Sequence, residues 1–196
     1  MTGEKPFSEY YRATVSKPVT PIYTDLDPYL PAHGRAIDLG CGAGRGVLHL
    51  LERGLHVTAT EEQAEGLEYL RSLLPPDADA DLVNEPFQTL RLDTYDVAVA
   101  SYSLFFLPPA EFGVFWARLV NAIVPGGLFA GQFLGPNDDW ADTMTVHARA
   151  DVERLFEGFD VLSLKEEDQD GSTAVGTTKH WHVFHVIARR GGVAKD

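Results

Sequence analysis

A glycine-rich segment between an apolar run and a helical pattern constrains the fold of this chain more than any other feature of its sequence. Residues 35–39 form a short apolar run that predicts a buried strand, and residues 40–46 carry glycine at every second position. Residues 44–53 then place apolar side chains at helical spacing, with Gly54 where a helix C-terminal cap is expected. Because glycines permit a tight turn and let backbone N–H groups approach a ligand at a helix N-terminus, the segment predicts a ligand-binding loop.

The same alternation of strand and helix continues along the chain. Further strands are predicted at residues 55–60, 80–84, 95–100 and 128–133, and helices at residues 63–74, 110–124 and 150–156. Near the end, strands predicted at residues 160–165 and 180–188 are joined by a polar loop at residues 168–178, which permits an antiparallel hairpin. We therefore predict an α/β fold with a doubly wound, mainly parallel seven-stranded sheet whose last strand is antiparallel.

The length and composition of the chain fit one globular domain. Its 196 residues, of which 44% are hydrophobic and 23% charged, suffice for one sizeable core but are few for two. We predict a single domain over residues 1–196, with an N-terminal helical or lid segment at 1–34, a core at 35–190 and a frayed tail at 191–196. No apolar segment has the length of a membrane span.

The charge and the cysteine content restrict the partners and the compartment. A formal net charge of −13 repels a phosphate backbone, so nucleic acid is not expected as a substrate. Cys41 is the only cysteine, which excludes an intramolecular disulfide and favours a reducing compartment. Because the polar start at residues 1–6 also differs from a signal peptide, we expect a cytoplasmic protein.

The spacing of the glycines argues against a dinucleotide cofactor. That fingerprint requires a glycine three residues after its second glycine, and this position holds Arg45 or Val47, depending on where counting starts. Glu61 follows the second predicted strand, beside the glycine loop, where a carboxylate suits a ribose diol. The loop and Glu61 together predict a nucleoside-containing ligand.

These features resemble the class I S-adenosylmethionine-dependent methyltransferases over residues 36–189. Residues 36–44 are similar to the first motif of that family, residues 95–104 to its fourth motif, and residues 124–128 to the turn before its fifth strand. The closing hairpin is similar to the family's antiparallel seventh strand. The resemblance implies the Rossmann-like methyltransferase fold, S-adenosylmethionine as the cofactor, and methyl transfer as the reaction.

The resemblance also implies roles for individual residues. The backbone at Gly40, Cys41 and Gly42 would lie along the methionine part of the cofactor, and Asp38 would support this loop. Glu61 would hold the ribose. The other implied cofactor-binding residues are Tyr11, Gly44, Glu62 along the adenosine, Glu85 and Phe87 at the adenine, and Ser101 in the fourth motif.

A narrower resemblance is to small tellurite-resistance (TehB-like) and related small-molecule methyltransferases. It depends on residues 9–12 (Glu-Tyr-Tyr-Arg), the short chain and the closing strand. It implies a small-molecule methyl acceptor without naming the molecule. Tyr10 and Tyr11 then have two interpretations: a lid over the pocket, or a terminal helix that packs its aromatic face on the sheet.

The reacting end of the site is expected where the last strand begins. Because this strand runs antiparallel, residues 179–182 reach the edge at which the parallel strands end, together with residues 166–168. His180 or His182 would act as a general base, or would hydrogen-bond within the hairpin. Tyr102, at the tip of the fourth strand, is expected to face the methyl-transfer zone.

Other polar residues near this end are interpreted more conservatively. His180 and His182 with Asp168 or Glu167 are too few for a metal site, so none is predicted. His185 lies deeper in an apolar strand and is interpreted as a core histidine with satisfied hydrogen bonds. Trp140 would line the substrate cavity or close the core.

Three functions remain open from the sequence. The leading hypothesis is an S-adenosylmethionine-dependent methyltransferase that acts on a small molecule by in-line methyl transfer. The second is a non-catalytic sensor or partner module that binds the same cofactor. The third is a dinucleotide-binding oxidoreductase, which the glycine spacing disfavours.

Overall fold

The computed structural model describes residues 7–192. The predicted polar start at residues 1–6 and residues 193–196 of the predicted tail lie outside the described residues. Two helices, α1 (Phe7–Thr14) and α2 (Pro21–Leu26), precede the first strand of the sheet. They lie within the stretch that the sequence assigned to an N-terminal helical or lid segment.

Seven strands of the described chain form one sheet. They are β1 (Gly34–Leu39), β2 (Leu55–Thr60), β3 (Ala80–Val83), β4 (Tyr95–Ala100), β5 (Ile123–Leu134), β6 (Phe159–Ser172) and β7 (Thr178–Arg190). Their order is β3-β2-β1-β4-β5-β7-β6. The first five pair in parallel, and β7 runs antiparallel to both of its neighbours, which confirms the predicted fold class. Since the strand order reverses between β1 and β4, a crevice opens at the carboxyl ends of these strands, where such sheets bind ligands.

Helices cover both faces of this sheet. The other helices are α3 (Arg45–Glu52), α4 (Ala64–Leu73), α5 (Pro109–Ala122) and α6 (Arg149–Leu155). The core on one face joins the sheet to α2, α3 and α4, and the core on the other face joins it to α5 and α6. The central strands are apolar on both sides because successive side chains alternate: Ala36 packs into the first core and Ile37 into the second. Within residues 7–192, none of the helices is both long and apolar enough to span a membrane.

The junction between α5 and β5 differs from the sequence prediction. The helix was expected to continue to residue 124 and the strand to begin at 128, but α5 ends at Ala122 and β5 begins at Ile123. Pairing with β4 shifts between Ile123 and Leu128, so the Pro-Gly-Gly turn forms an irregularity inside the strand. A Cβ atom at Gly127 would lie 2.9 Å from the backbone oxygen of Asp96, so only glycine fits there.

The closing hairpin is much longer than predicted. The polar stretch at residues 168–178 was expected to be a loop, but β6 continues to Ser172 and β7 begins at Thr178. The two polar strand ends pair with each other, with Asp170 opposite His180. Cross-strand pairs of opposite charge stabilise a sheet, so residues 168–172 extend as a strand although none of them has an apolar side chain.

Candidate functional site

The glycine loop leaves the end of β1 with a backbone that glycine alone adopts easily. Gly40, Gly42 and Gly44 have φ angles of +69°, +57° and +87°. A Cβ atom at Gly44 would lie 2.4 Å from a side-chain carbon of Leu70, and α3 begins directly after this residue. The loop therefore reaches the N-terminus of α3 in the conformation that the sequence pattern predicted.

Glu61 fixes this loop from the neighbouring strand. It follows β2, and its Oε2 accepts the backbone N–H of Gly42 at 3.0 Å, while its Oε1 accepts the N–H of Gln63 at 3.1 Å. Burial raises the pKa of Glu61 above its ordinary value, and these backbone donors partly counteract that effect. Since each carboxylate oxygen has a second lone pair, Glu61 can also accept hydroxyl groups of a ligand.

Asp38 lies behind the loop and is fully buried. Its Oδ1 accepts the hydroxyl of Tyr23 at 2.9 Å, but its Oδ2 has no hydrogen-bond partner among the described residues. Burial raises the pKa of Asp38 to about 7. Asp38 therefore lies behind the loop as a buried support that is linked to α2 through Tyr23.

The first helix covers the loop from outside. Tyr11 is 1% exposed, and its ring lies 6.1 Å from that of Tyr69 on α4, so α1 packs on α4 rather than on the sheet. Burial and the charge of Glu61 raise the pKa of Tyr11. The ring of Tyr10 lies beside Gly42, where an added Cβ would meet it at 3.5 Å. The two tyrosines therefore form part of a wall over the loop.

The loop opens into a cavity of about 980 Å³. The cavity wall includes nine residues predicted for the site: Tyr11, Gly40, Gly42, Glu61, Glu62, Glu85, Phe87, Ser101 and Tyr102. Cys41 lines a smaller adjoining cleft, while Asp38 and Gly44 support the loop without lining the large cavity. A cavity at the upper end of the range for small-molecule sites has room for a nucleoside cofactor and a second small molecule.

The segment after β3 closes one end of this cavity. The side-chain amide of Asn84 donates to the backbone oxygens of Glu61 and Glu62, each at 2.8 Å. The ring of Phe87 stacks on that of Phe115, with their centres 5.1 Å apart. Phe87 is thus held rigidly as an apolar surface on which a flat ring can lie.

The structure does not bring His180 and His182 to the cavity. Side chains alternate along β7, so Lys179, Trp181 and Val183 line the cavity and the two histidines project from the opposite face. His180 lies between the carboxylates of Asp168 and Asp170, at 2.7 and 2.8 Å. The general-base role predicted for the histidines therefore has no geometric support, and the hydrogen bonding within the hairpin accounts for His180.

His182 is held in the same way on that face. Its Nε2 lies 3.0 Å from Oε1 of Glu166, and its Nδ1 accepts the backbone N–H of Asn137 at 3.2 Å. Its side chain is buried under the segment that follows β5. Within residues 7–192, no group of three His, Cys, Asp or Glu side chains is arranged to hold a metal ion.

Tyr102 lies at the end of β4 in a strained backbone conformation. Its φ of +54° is the only positive value at a non-glycine residue between residues 7 and 192. Its backbone N–H donates to Oε1 of Gln132 at 3.0 Å, and its ring makes an edge contact with Trp181 at 5.7 Å. Burial raises the pKa of Tyr102 to about 12, so its hydroxyl is a neutral hydrogen-bonding group at pH 7. Strain of this kind is concentrated at functional sites.

The sequence analysis brought part of the wall opposite the loop to this edge, through residues 166–168, residues 179–182 and Trp140, but did not name Phe105. This wall contains Phe105, Trp140, Glu167, Lys179 and Trp181. Lys179 is almost fully buried, donates to Asp138, and lies 3.9 and 3.7 Å from the ring centres of Trp140 and Trp181. The alternation of β7 placed Trp181 and Lys179 on one face, but the sequence did not indicate which face meets the cavity.

Comparison with known proteins gives a family match and a fold match. A family model described as a methyltransferase domain matches residues 36–127, which include the glycine loop and Glu61. No curated protein matches the sequence.

Solved structures of similar fold share little sequence with this chain. TehB from Haemophilus influenzae superposes with a TM-score of 0.78 at 14% identity over 92% of this chain, which spans 65% of the TehB chain. An S-adenosylmethionine-dependent methyltransferase from Methanosarcina mazei gives 0.71 at 17% identity, covering 90% of this chain and 100% of that one. A 1,6-didemethyltoxoflavin-N1-methyltransferase from Burkholderia thailandensis, with S-adenosylhomocysteine bound, gives 0.68 at 19%, covering 87% and 77%.

Proposed function

We propose that this chain, which has the class I S-adenosylmethionine-dependent methyltransferase fold and carries a methyltransferase domain at residues 36–127, is an active enzyme that methylates a small molecule. The family match confirms the resemblance that the sequence motifs predicted. S-adenosylmethionine is the cofactor of this class of domain. The observation that carries the proposal is the contact of Glu61 with the glycine loop, in which Glu61 accepts the backbone N–H of Gly42.

The residues around the loop fit this cofactor. Bound S-adenosylmethionine supplies a methyl group activated by the positive charge of a sulfonium. Glu61 would accept the ribose hydroxyls while keeping the Gly42 N–H in place, and Phe87 would support the adenine ring. Asp38 would support the loop from behind, where its Oδ1 accepts the hydroxyl of Tyr23.

The protein would accelerate the transfer by positioning and by excluding water. An in-line displacement requires the acceptor to be held on the far side of the methyl group, and a well-oriented pair of reactants removes several kcal/mol from the barrier. The rings of Tyr102 and Trp181 lie in the cavity wall at β4 and β7, whereas Glu61 and Phe87 follow β2 and β3 on the other side of β1 in the sheet. The two rings would exclude water from the space where the acceptor binds. The volume of about 980 Å³ supports a small acceptor beside the cofactor.

Calorimetric titration with S-adenosylhomocysteine tests the cofactor site, with NAD as the parallel ligand. We expect one-to-one binding of S-adenosylhomocysteine and none of NAD. Glu61→Ala removes the ribose acceptor and loosens the loop at Gly42. The Kd of this variant for S-adenosylhomocysteine should rise at least tenfold, which is a loss of about 1.4 kcal/mol in binding free energy. Glu68→Ala, which changes an exposed glutamate on α4, is the matched control and should bind as the wild type does.

Two results would contradict the proposal. Binding of NAD in preference to S-adenosylhomocysteine would favour the oxidoreductase, and equal Kd values for the two variants would exclude Glu61 from the site. Formation of S-adenosylhomocysteine from S-adenosylmethionine, measured with a panel of small acceptors, separates an enzyme from a module that only binds the cofactor.

A further inference from the structure

The wall of the cavity opposite the glycine loop is aromatic. The rings of Tyr102, Phe105, Trp140 and Trp181 contact one another with centres 5.3 to 6.5 Å apart. Val183 adds an apolar side chain from the same strand as Trp181. Because aromatic side chains give large apolar surfaces of fixed shape, this wall suits a flat ring better than a flexible chain.

The cation in this wall is already neutralised. Lys179 lies between the rings of Trp140 and Trp181 and donates to Asp138, whose side chain is fully buried. Its own side chain is only 4% exposed. An anionic group of a ligand would have to displace Asp138 or remain unpaired, and either arrangement leaves a charge buried without a partner, which is unfavourable. Lys179 therefore shapes the wall without offering a charge to the cavity.

Within residues 7–192, the hydrogen-bond donors that face the carboxylate of Glu167 are one side-chain amide and one imidazole. Its Oε1 accepts the side-chain amide of Gln169 at 2.6 Å, and its Oε2 faces Nε2 of His185 at 3.3 Å. Since a carboxylate only accepts, Nε2 of His185 carries the proton. Burial lowers the pKa of His185, which favours the neutral imidazole, so neither of these two donors brings a formal positive charge to Glu167.

A hydrogen-bond network that starts at a buried glutamine holds Glu167 in place. The backbone N–H of Tyr102 donates to Oε1 of Gln132, and Nε2 of Gln132 lies 3.5 Å from Nδ1 of His185. Gln132 is 1% exposed, so both ends of its amide are committed within the protein. The network runs from the strained end of β4 to Glu167, where it ends at the cavity. Polar side chains at such depth in a sheet are costly unless they are fully paired, which makes this an ordered feature.

We propose that this wall binds a flat aromatic methyl acceptor that presents a positively charged or N–H-bearing nitrogen to Glu167. The rings supply the apolar surface, and Glu167 supplies the acceptor for the nitrogen of the ligand. Acceptors that carry a carboxylate, a phosphate or another oxyanion are disfavoured at this wall, since Lys179 is not available to pair with them and Arg45, which also lines the cavity, lies on the side of the glycine loop at the start of α3. This inference rests on the proposed function, because it places the acceptor in the remainder of the cofactor cavity.

Two naphthalene probes of opposite charge test the proposal directly. Equilibrium dialysis with 1-naphthylmethylamine and with 1-naphthoate, in the presence of saturating S-adenosylhomocysteine, measures binding through the fluorescence of the free probe. We expect the amine to bind one-to-one and at least tenfold more tightly than the carboxylate. Glu167→Gln keeps the size of the side chain but removes its charge, so the ratio of the two Kd values should fall at least fivefold.

Matched variants separate the charge from the aromatic surface. Glu157→Gln makes the same change in net charge at an exposed position outside the cavity and should leave the ratio unchanged. Trp181→Leu should weaken binding of the amine at least fivefold, whereas Trp181→Phe, which keeps a ring, should weaken it less. Calorimetric binding of S-adenosylhomocysteine by each variant shows that the rest of the site is intact.

Several results would overturn the inference. These are binding of neither probe, binding of the carboxylate as tightly as the amine, or an unchanged ratio in Glu167→Gln. If S-adenosylhomocysteine binds normally while the probes behave in one of these ways, only the acceptor class is wrong. If S-adenosylhomocysteine does not bind the wild type, the proposed function itself fails.

Discussion

Replacement of Gly46 with alanine is expected to destabilise the protein, although alanine is the better helix residue. Gly46 is buried in the first turn of α3, and Tyr23 from α2 packs directly over it. A Cβ atom there would lie 2.2 Å from both Cζ and Oη of Tyr23. The ring cannot move freely, because it is 4% exposed and its hydroxyl donates to Asp38.

The expected change in the free energy of unfolding is the sum of two destabilising effects and one stabilising effect. Forcing an extra carbon into a packed core costs about 1–3 kcal/mol. Displacing Tyr23 weakens its hydrogen bond to Asp38, which costs roughly 1 kcal/mol more. Exchange of glycine for alanine in a helix returns about 1 kcal/mol. We therefore expect a net loss of about 1–3 kcal/mol, or a fall in Tm of roughly 2–12 °C for a domain of this size.

Gly113→Ala is the matched control with the opposite sign. Gly113 is an exposed residue of α5, and an added Cβ there would meet nothing within 4 Å. Only the helix preference remains, so this variant should gain about 0.5–1 kcal/mol. Thermal unfolding followed by circular dichroism measures both variants. A rise in Tm for Gly46→Ala similar to that for Gly113→Ala would show that Tyr23 does not pack over the glycine loop as described.

Two further predictions concern buried ionisable groups. Tyr23→Phe removes the donor that lowers the pKa of Asp38, so that pKa should rise above about 7 in a carboxyl NMR titration. Because folded Asp38 binds its proton more tightly than the unfolded carboxyl does, its contribution to the free energy of unfolding falls as pH rises from 3.8 to about 7, and the fall should extend to higher pH in this variant. Lys179→Met leaves Asp138 buried without its cation and should cost about 3–5 kcal/mol in urea unfolding. Lys165→Met, which breaks an exposed pair, should cost at most about 1 kcal/mol, and equal losses would contradict the burial argument.

Local sequence signals predicted the central part of the fold well, because the physical rules there are local. Strands β2 and β4 have the predicted bounds, since β2 alternates apolar with polar residues and β4 is apolar except for Asp96. Gly54 ends α3 with a φ of +81°, as expected of a C-terminal cap. The glycine loop follows from the same local rules. The identity of the ligand does not follow from these local rules, because S-adenosylmethionine was predicted only from the family resemblance.

The prediction was wrong where tertiary pairing overrides local composition. The segment at residues 168–178 contains glycine, aspartate and threonine, which favour loops, yet most of it is paired as strand. The stabilising contacts come from the partner strand, as in the position of His180 between Asp168 and Asp170. A single-sequence pattern does not contain this information, because these pairs lie 10 to 12 residues apart along the chain.

At the acceptor end of the site, the functional assignment depends on which side chains of β7 point into the cavity, and this alternates from one residue to the next. Alternation along the last strand puts Trp181 and His185 on one face, and His180 and His182 on the other face with Phe184. Phe184 packs into the core under α5 and α6, so the histidines share the helix-covered side and not the cavity. Histidine is a common general base, but a histidine side chain can remove a proton from the acceptor only if it points into the cavity. On the cavity face, the last strand offers the ring of Trp181 and the side chain of Lys179, whose charge is paired with Asp138. The carboxylate of Glu167 lies beside them on the neighbouring strand β6. The acceptor end is therefore better suited to select a ligand by shape and charge than to remove a proton with an imidazole.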